Sequence, residues 1–179
     1  HFNDLVDRQG DVSAYRNHNV VLRNVGGRFE NVSAAAGGEE VAKHSARGAA
    51  FDDLDGDGDV DAVVLNAREG PTLLRNLDRE RGGANHWIGV RLVGTTGNRD
   101  GVGARVRVIC GDDVLVAEVH CGRGYQGHYG SRLHFGLGSR DRVEGFEVRW
   151  IGGGRERFEG SAADRDVTLR QGAGVALDR

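Results

Sequence analysis

The sequence predicts an all-β chain: short hairpin strands around an acidic loop, then a small β-sandwich or barrel. Three observations carry this. Thirty glycines against a single proline, Pro71, mark many tight turns between short strands. From residue 86 onward, β-branched and apolar runs recur at roughly 10–15-residue spacing between Gly/Asp/Asn turns. Before it, "NVVLRNVGGRF" (19–29) and "PTLLRNLDRER" (71–81) repeat an apolar pair, Leu-Arg-Asn and a turn about 50 residues apart, a propeller-like period.

Along the chain, residues 1–18 are polar and weakly patterned. "NVVLRNVGGRFENVS" (19–33) reads as a hairpin turning at Gly26-Gly27, and 34–46 as a loop with a short helical turn. "RGAAFDDL" is then a strand running into the acidic loop, "VDAVVLN" the next strand and "PTLLRNL" a third. The charged, Gly-containing "DRERGGAN" (78–85) marks a boundary between residues 1–80 and a second unit, 86–179. In that unit "HWIGVRLVG", "ARVRVIC", "VLVAEVHC", "RLHFGLG", "VEGFEVRW", "RERFEG" and "DVTLRQG" read as strands.

The acidic loop, "FDDLDGDGDVDAVVLN" (51–66), sets Asp52, Asp53, Asp55, Asp57, Asp59 and Asp61 close together. Like charges so near one another repel, so the segment is either disordered or built around a cation. The alternation favours the cation. Asp53, Asp55, Asp57, Asp59 and Asp61 stand at positions 1, 3, 5, 7 and 9, with Gly58 at position 6, where an EF-hand loop also turns. Val64 replaces the Glu at position 12, so Asp61 must close the loop, and the β-branched run beyond it is a strand rather than a helix. The expected ligands of one Ca²⁺ are therefore Asp53, Asp55, Asp57 and Asp61 through side chains and Asp59 through its carbonyl. The Asp59 carboxylate is expected to face solvent, and Asp52 to lie outside the shell.

Composition sets the outer limits. Hydrophobic residues at 38% support a core, while 28% charged with net charge −3 fits neither disorder nor a nucleic-acid partner. No apolar run reaches the roughly 20 residues of a membrane span. The chain holds no Met, which a translated start requires, so a mature product or a piece of a longer protein is expected. Lys43 is the single lysine; the arginines are scattered rather than clustered as a phosphate site. Cys110 and Cys121 permit one disulfide. Pairing around "GDD", however, sets Cys110 opposite a residue near Val114, so free thiols are expected unless residues 122–124 bend Cys121 back.

Taken together, "RGAAFDDLDGDGDVDAVVLN" with "LLRN" resembles the FG-GAP/VCBS calcium repeat of β-propellers. "NHWIGVRLVGTTGNRDGVGARVRV", "GRGYQGHYGSRLHFGLG" and "VEGFEVRWIGGG" resemble the ASPIC/UnbV domain that follows such repeats in cartilage acidic protein and bacterial homologues. The resemblance runs from about residue 19 to 174. It departs at Trp150-Ile151, where the family has Trp-Pro, and at Gln126-Gly127-His128, where it has Ser-Gln. It implies a periplasmic or extracellular, calcium-bearing, non-enzymatic protein of partial propeller blades plus a β-domain. Too few blades are present to close a propeller, so its partners would be other protein subunits or the rest of its own chain. Peripheral attachment to a membrane complex is compatible with this.

Other residues invite roles. Tyr125, His128, Tyr129 and His134 could line a pocket, though partly buried aromatics in a β-turn explain them more simply. His134 reads as a hydrogen-bonded structural histidine, Asn98 and Asp100 as turn residues, and Trp87 and Trp150 as core anchors. The function expected is a calcium-stabilised interaction or assembly module; a carbohydrate-binding module is the alternative, and an enzyme of unknown class the third.

Overall fold

The structure, a computed structural model, describes residues 14–36, 43–125 and 127–178. These residues form β-strands joined by turns, with no helix among them and no closed sheet. The helical turn expected over 34–46 and the polar start of the chain lie largely outside the described residues. Contacts divide the chain into two compact units that are discontinuous in sequence: residues 1–50, 62–74 and 124–127, and residues 51–61, 75–123 and 128–179. The acidic loop thus falls in the same unit as the C-terminal strands.

In the first unit, β1 (Leu22–Val25) and β2 (Arg28–Asn31) form the expected hairpin, pairing Val25 with Arg28. Its two-residue turn needs positive φ at both positions, which Gly26 (57°) and Gly27 (86°) adopt without a Cβ penalty. Asn24 Oδ1 fastens the turn by accepting from Gly27 N at 2.9 Å. Both strands are exposed throughout, Phe29 at 70%. Three further strands, β3 (Ala46–Asp52), β4 (Asp61–Asn66) and β5 (Thr72–Leu74), lie in the order β3-β4-β5. β4 and β5 pair antiparallel, with Val63 opposite Leu73. Asn66 Nδ2 ties their turn by donating to Gly70 O (2.9 Å) and Thr72 Oγ1 (2.8 Å).

In the second unit, β7 (Arg105–Cys110), β8 (Asp113–Glu118), β10 (Arg142–Arg149), β11 (Arg155–Ala162) and β13 (Val175–Leu177) form one sheet in the order β13-β11-β10-β7-β8. The other sheet, in the order β12-β6-β9, comprises β6 (His86–Val93), β9 (Leu133–Gly138) and β12 (Arg165–Arg170). Alternate residues of both sheets meet in one core: Ile88, Val90 and Leu92 from β6, Leu133, Phe135 and Leu137 from β9, Val106 and Val108 from β7, and Val143, Phe146 and Val148 from β10. Two open sheets sharing a core make a sandwich rather than a barrel. Burying each large side chain contributes about 1.5–3 kcal/mol, so this core dominates the unit's stability. Every strand expected from residue 86 onward is present. The parallel pairing of β12 with β6 and the short β13 go beyond the sequence reading.

Cys110 lies opposite Asp113, one residue from the expected partner, across a turn at Gly111-Asp112. Both cysteines are free, Cys110 buried and Cys121 exposed. Asn98 shapes its turn as expected: its side chain donates to Val102 O at 2.9 Å and accepts from Val102 N at 2.6 Å.

Candidate metal centre

The loop between β3 and β4 brings Asp53, Asp55 and Asp57 together, one carboxylate oxygen from each lying within 4.8 Å of the others. The alternation accomplishes this through a chain of Asx turns. Asp53 accepts from Gly56 N (2.8 Å) and Gly58 N (3.1 Å), Asp55 from Asp57 N (3.4 Å), and Asp57 from Asp59 N (2.8 Å). Gly56 and Gly58 carry φ of 80° and 96°, the left-handed backbone that curls the loop.

The other expected ligands are placed differently. Asp61 is 3% exposed and anchors the loop's closing end, accepting from Leu54 N (3.2 Å) and Asn76 N (2.8 Å). The Asp59 carboxylate, expected in solvent, instead accepts from Arg79 N at 2.6 Å, because the chain beyond β5 folds back over the loop. Asp52 lies outside the cluster and accepts from Arg132 Nη1 at 2.9 Å. Here the repeated Leu-Arg-Asn gains a role. Arg75 Nε donates to Asp55 Oδ2 at 2.7 Å and Asn76 N to Asp61, whereas Asn24 of the first copy shapes a turn.

Electrostatics distinguish the three clustered carboxyls. Desolvation raises the Asp55 pKa, but hydrogen bonding and attraction from Arg75 outweigh it and hold the group below the usual range. Asp57 goes the other way. The Asp59 N–H lowers its pKa, yet lost hydration and repulsion from Asp55, Asp59 and Asp53 prevail and push it up. Moreover, Asp57 Oδ2 is shut off from solvent without a hydrogen-bond partner. An orphaned carboxylate oxygen amid other carboxylates is the arrangement a hard, oxygen-liganded cation satisfies, so the donor set fits such an ion.

The surroundings hold residues whose part the sequence reading missed. Trp87, expected in the core, is not part of it; it lies against the loop, where a Cβ on Gly58 would come within 1.9 Å of Trp87 Nε1. His134 stacks on Trp87 (centroids 5.5 Å apart, planes at 15°), and its Nδ1 is buried without a hydrogen-bond partner. Burial chiefly, then Arg132, lowers the His134 pKa against the pull of Asp53, Asp52 and Asp166. Trp150 does sit in the core, 4% exposed. Tyr129 is half-buried beside Phe51 (5.8 Å) and Arg123 (5.4 Å), while Tyr125 is exposed.

No curated protein matches this chain. Residues 94–176 match the family described as ASPIC and UnbV. That stretch begins just after β6 and ends within β13, so the C-terminal part of the sandwich is similar to the ASPIC/UnbV domain.

Proposed function

We propose that this protein is a calcium-binding, non-enzymatic interaction or assembly module that works outside the cytoplasm, in the periplasm or the extracellular space. The observation that carries the reading is the clustering of Asp53, Asp55 and Asp57 about the orphaned Asp57 Oδ2. Ca²⁺ is the ion this set suits: it takes 6–8 oxygens in flexible geometry, whereas Mg²⁺ demands a tighter octahedron. Asp61 would join through lone pairs that its two backbone hydrogen bonds leave free, and Asp59 through its backbone carbonyl. When bound, the ion would offset part of the carboxylates' negative charge and fix the loop.

Residues 1–80 are read as the end of one FG-GAP/VCBS propeller blade and one calcium-bearing blade. Their exposed Leu22, Phe29, Leu65 and Leu73 are apolar side chains of the kind that mark contacts with other protein. The partners proposed are other subunits or further blades of its own chain. No helix among the described residues is long and apolar enough to cross a membrane.

Calorimetric titration of the chelator-treated protein tests the reading: Ca²⁺ should bind near one equivalent, more tightly than Mg²⁺, and Asp57→Asn should weaken it. Lack of heat at millimolar Ca²⁺ would refute it. A glycan array tests the carbohydrate alternative, to which the exposed Tyr125 lends support.

A further inference from the structure

We infer that the outer face of the β12-β6-β9 sheet is a platform that holds the metal loop in its binding shape, with Trp87 and Arg132 as positioning residues. This rests on the metal reading above and extends it from the ligands to what orders them.

The platform is built into the strand pattern. Ile88, Val90 and Leu92 of β6 point into the core, so Trp87 and Gly89 take the opposite face, as does His134 on β9 between the core residues Leu133 and Phe135. The register with β9 shifts between His86, opposite Gly138, and Trp87, opposite Gly136, so the extra residue of this irregularity, Leu137, lies on β9. From the outer face Trp87 meets Gly58, leaving no space for any side chain at the loop's tight turn. Gly89 is needed for a similar reason: a Cβ there would fall 1.7 Å from Asp166 Oδ1 and 2.9 Å from Arg132 Nε. Through that gap Arg132, its side chain 7% exposed, reaches across the sheet. It donates to Asp166 (2.7 Å) on one side and to Asp52 (2.9 Å), beside the first metal-loop aspartate, on the other. Its guanidinium lies 5.2 Å from the Trp87 ring.

Physically, an empty loop of crowded carboxylates tends to spread, and ordering it costs binding free energy. A buried guanidinium beside Asp52 and an indole against Gly58 supply opposing charge and a fixed wall before the ion arrives, and preorganisation of this kind raises affinity. Coupling is reciprocal: whatever the platform adds to calcium affinity, calcium returns to the sheet.

The test uses the full chain, freed of metal and titrated with CaCl₂ by calorimetry, alongside amide exchange with and without Ca²⁺. Arg132→Gln and Trp87→Phe are expected to weaken calcium binding on the order of tenfold. Arg140→Gln, which breaks the exposed pair with Asp113 elsewhere on the sandwich, should leave affinity unchanged. Calcium should slow exchange in β6 and β9, and Arg132→Gln should abolish that slowing. Wild-type affinity in both platform variants, with calcium still bound, would overturn the platform and leave the metal reading standing; no calcium binding by the unaltered protein would overturn both. Should Arg132→Gln fail to fold, Trp87→Phe and the wild-type exchange pattern decide the matter, since Trp87 is outside the core.

Discussion

The β1–β2 hairpin and the β7–β10 pair are built from similar sequence patterns and end in opposite environments. In the hairpin every residue of both strands is exposed, including Leu22 and Phe29, whereas in β7 and β10 Val106, Val108, Phe146 and Val148 are sealed in. Both have well-formed ladders, so backbone pairing does not separate them. What separates them is a second sheet: the β12-β6-β9 sheet covers the apolar face of β7 and β10. Alternation specifies a face that can be buried, and only a neighbour buries it.

The sharpest way to break this contrast is truncation on each side. Phe146→Ala should cost about 3–5 kcal/mol in chemical denaturation, as loss of a packed aromatic does. Phe29→Ala, removing an exposed ring, should stay within about 0.5 kcal/mol. Comparable losses would mean the hairpin face is covered in solution.

Calcium should sharpen it further. At a free concentration one hundred times the dissociation constant, a ligand bound only by the folded state adds about 2.7 kcal/mol. That gain should appear in the thermal midpoint of the sandwich and vanish with chelator, while amide exchange in Leu22–Asn31 stays unchanged.

Acidification acts on the sandwich through His134. Burial, reinforced by Arg132, lowers its folded pKa, so between that value and the unfolded one near 6.5 the unfolded chain binds more protons. Stability should therefore fall as the pH drops below about 6.5. His134→Gln should flatten that slope in metal-free denaturation curves at pH 7.5 and 5.5; an unchanged slope would assign it to other groups.

The smallest expected effect is on the hairpin surface. Arg23 and Glu30 stand 3.6 Å apart with both side chains largely in water, so Arg23→Ala should change stability by less than about 0.5 kcal/mol and lose even that at high salt.

What the sequence determined by itself is what depends on near neighbours in the chain. Gly26-Gly27 had to turn because only glycine takes two positive φ values without strain, and the hairpin formed there. The first part of the Asp/Gly alternation had to curl because the carboxylates of Asp53, Asp55 and Asp57 reach backbone N–H groups two to five residues ahead, and those three met accordingly. The alternating runs beyond residue 86 became strands for the same local reason. The tertiary structure decided which surfaces those elements cover. Nothing near Trp87 in sequence says that it leaves the core for Gly58, that Arg132 spans Asp52 and Asp166, or that β12 pairs parallel with β6. Those outcomes depend on contacts between segments far apart in the chain. Their free energy comes from burying side chains and pairing charges across a packed sheet, and neither spacing nor propensity encodes that one residue at a time.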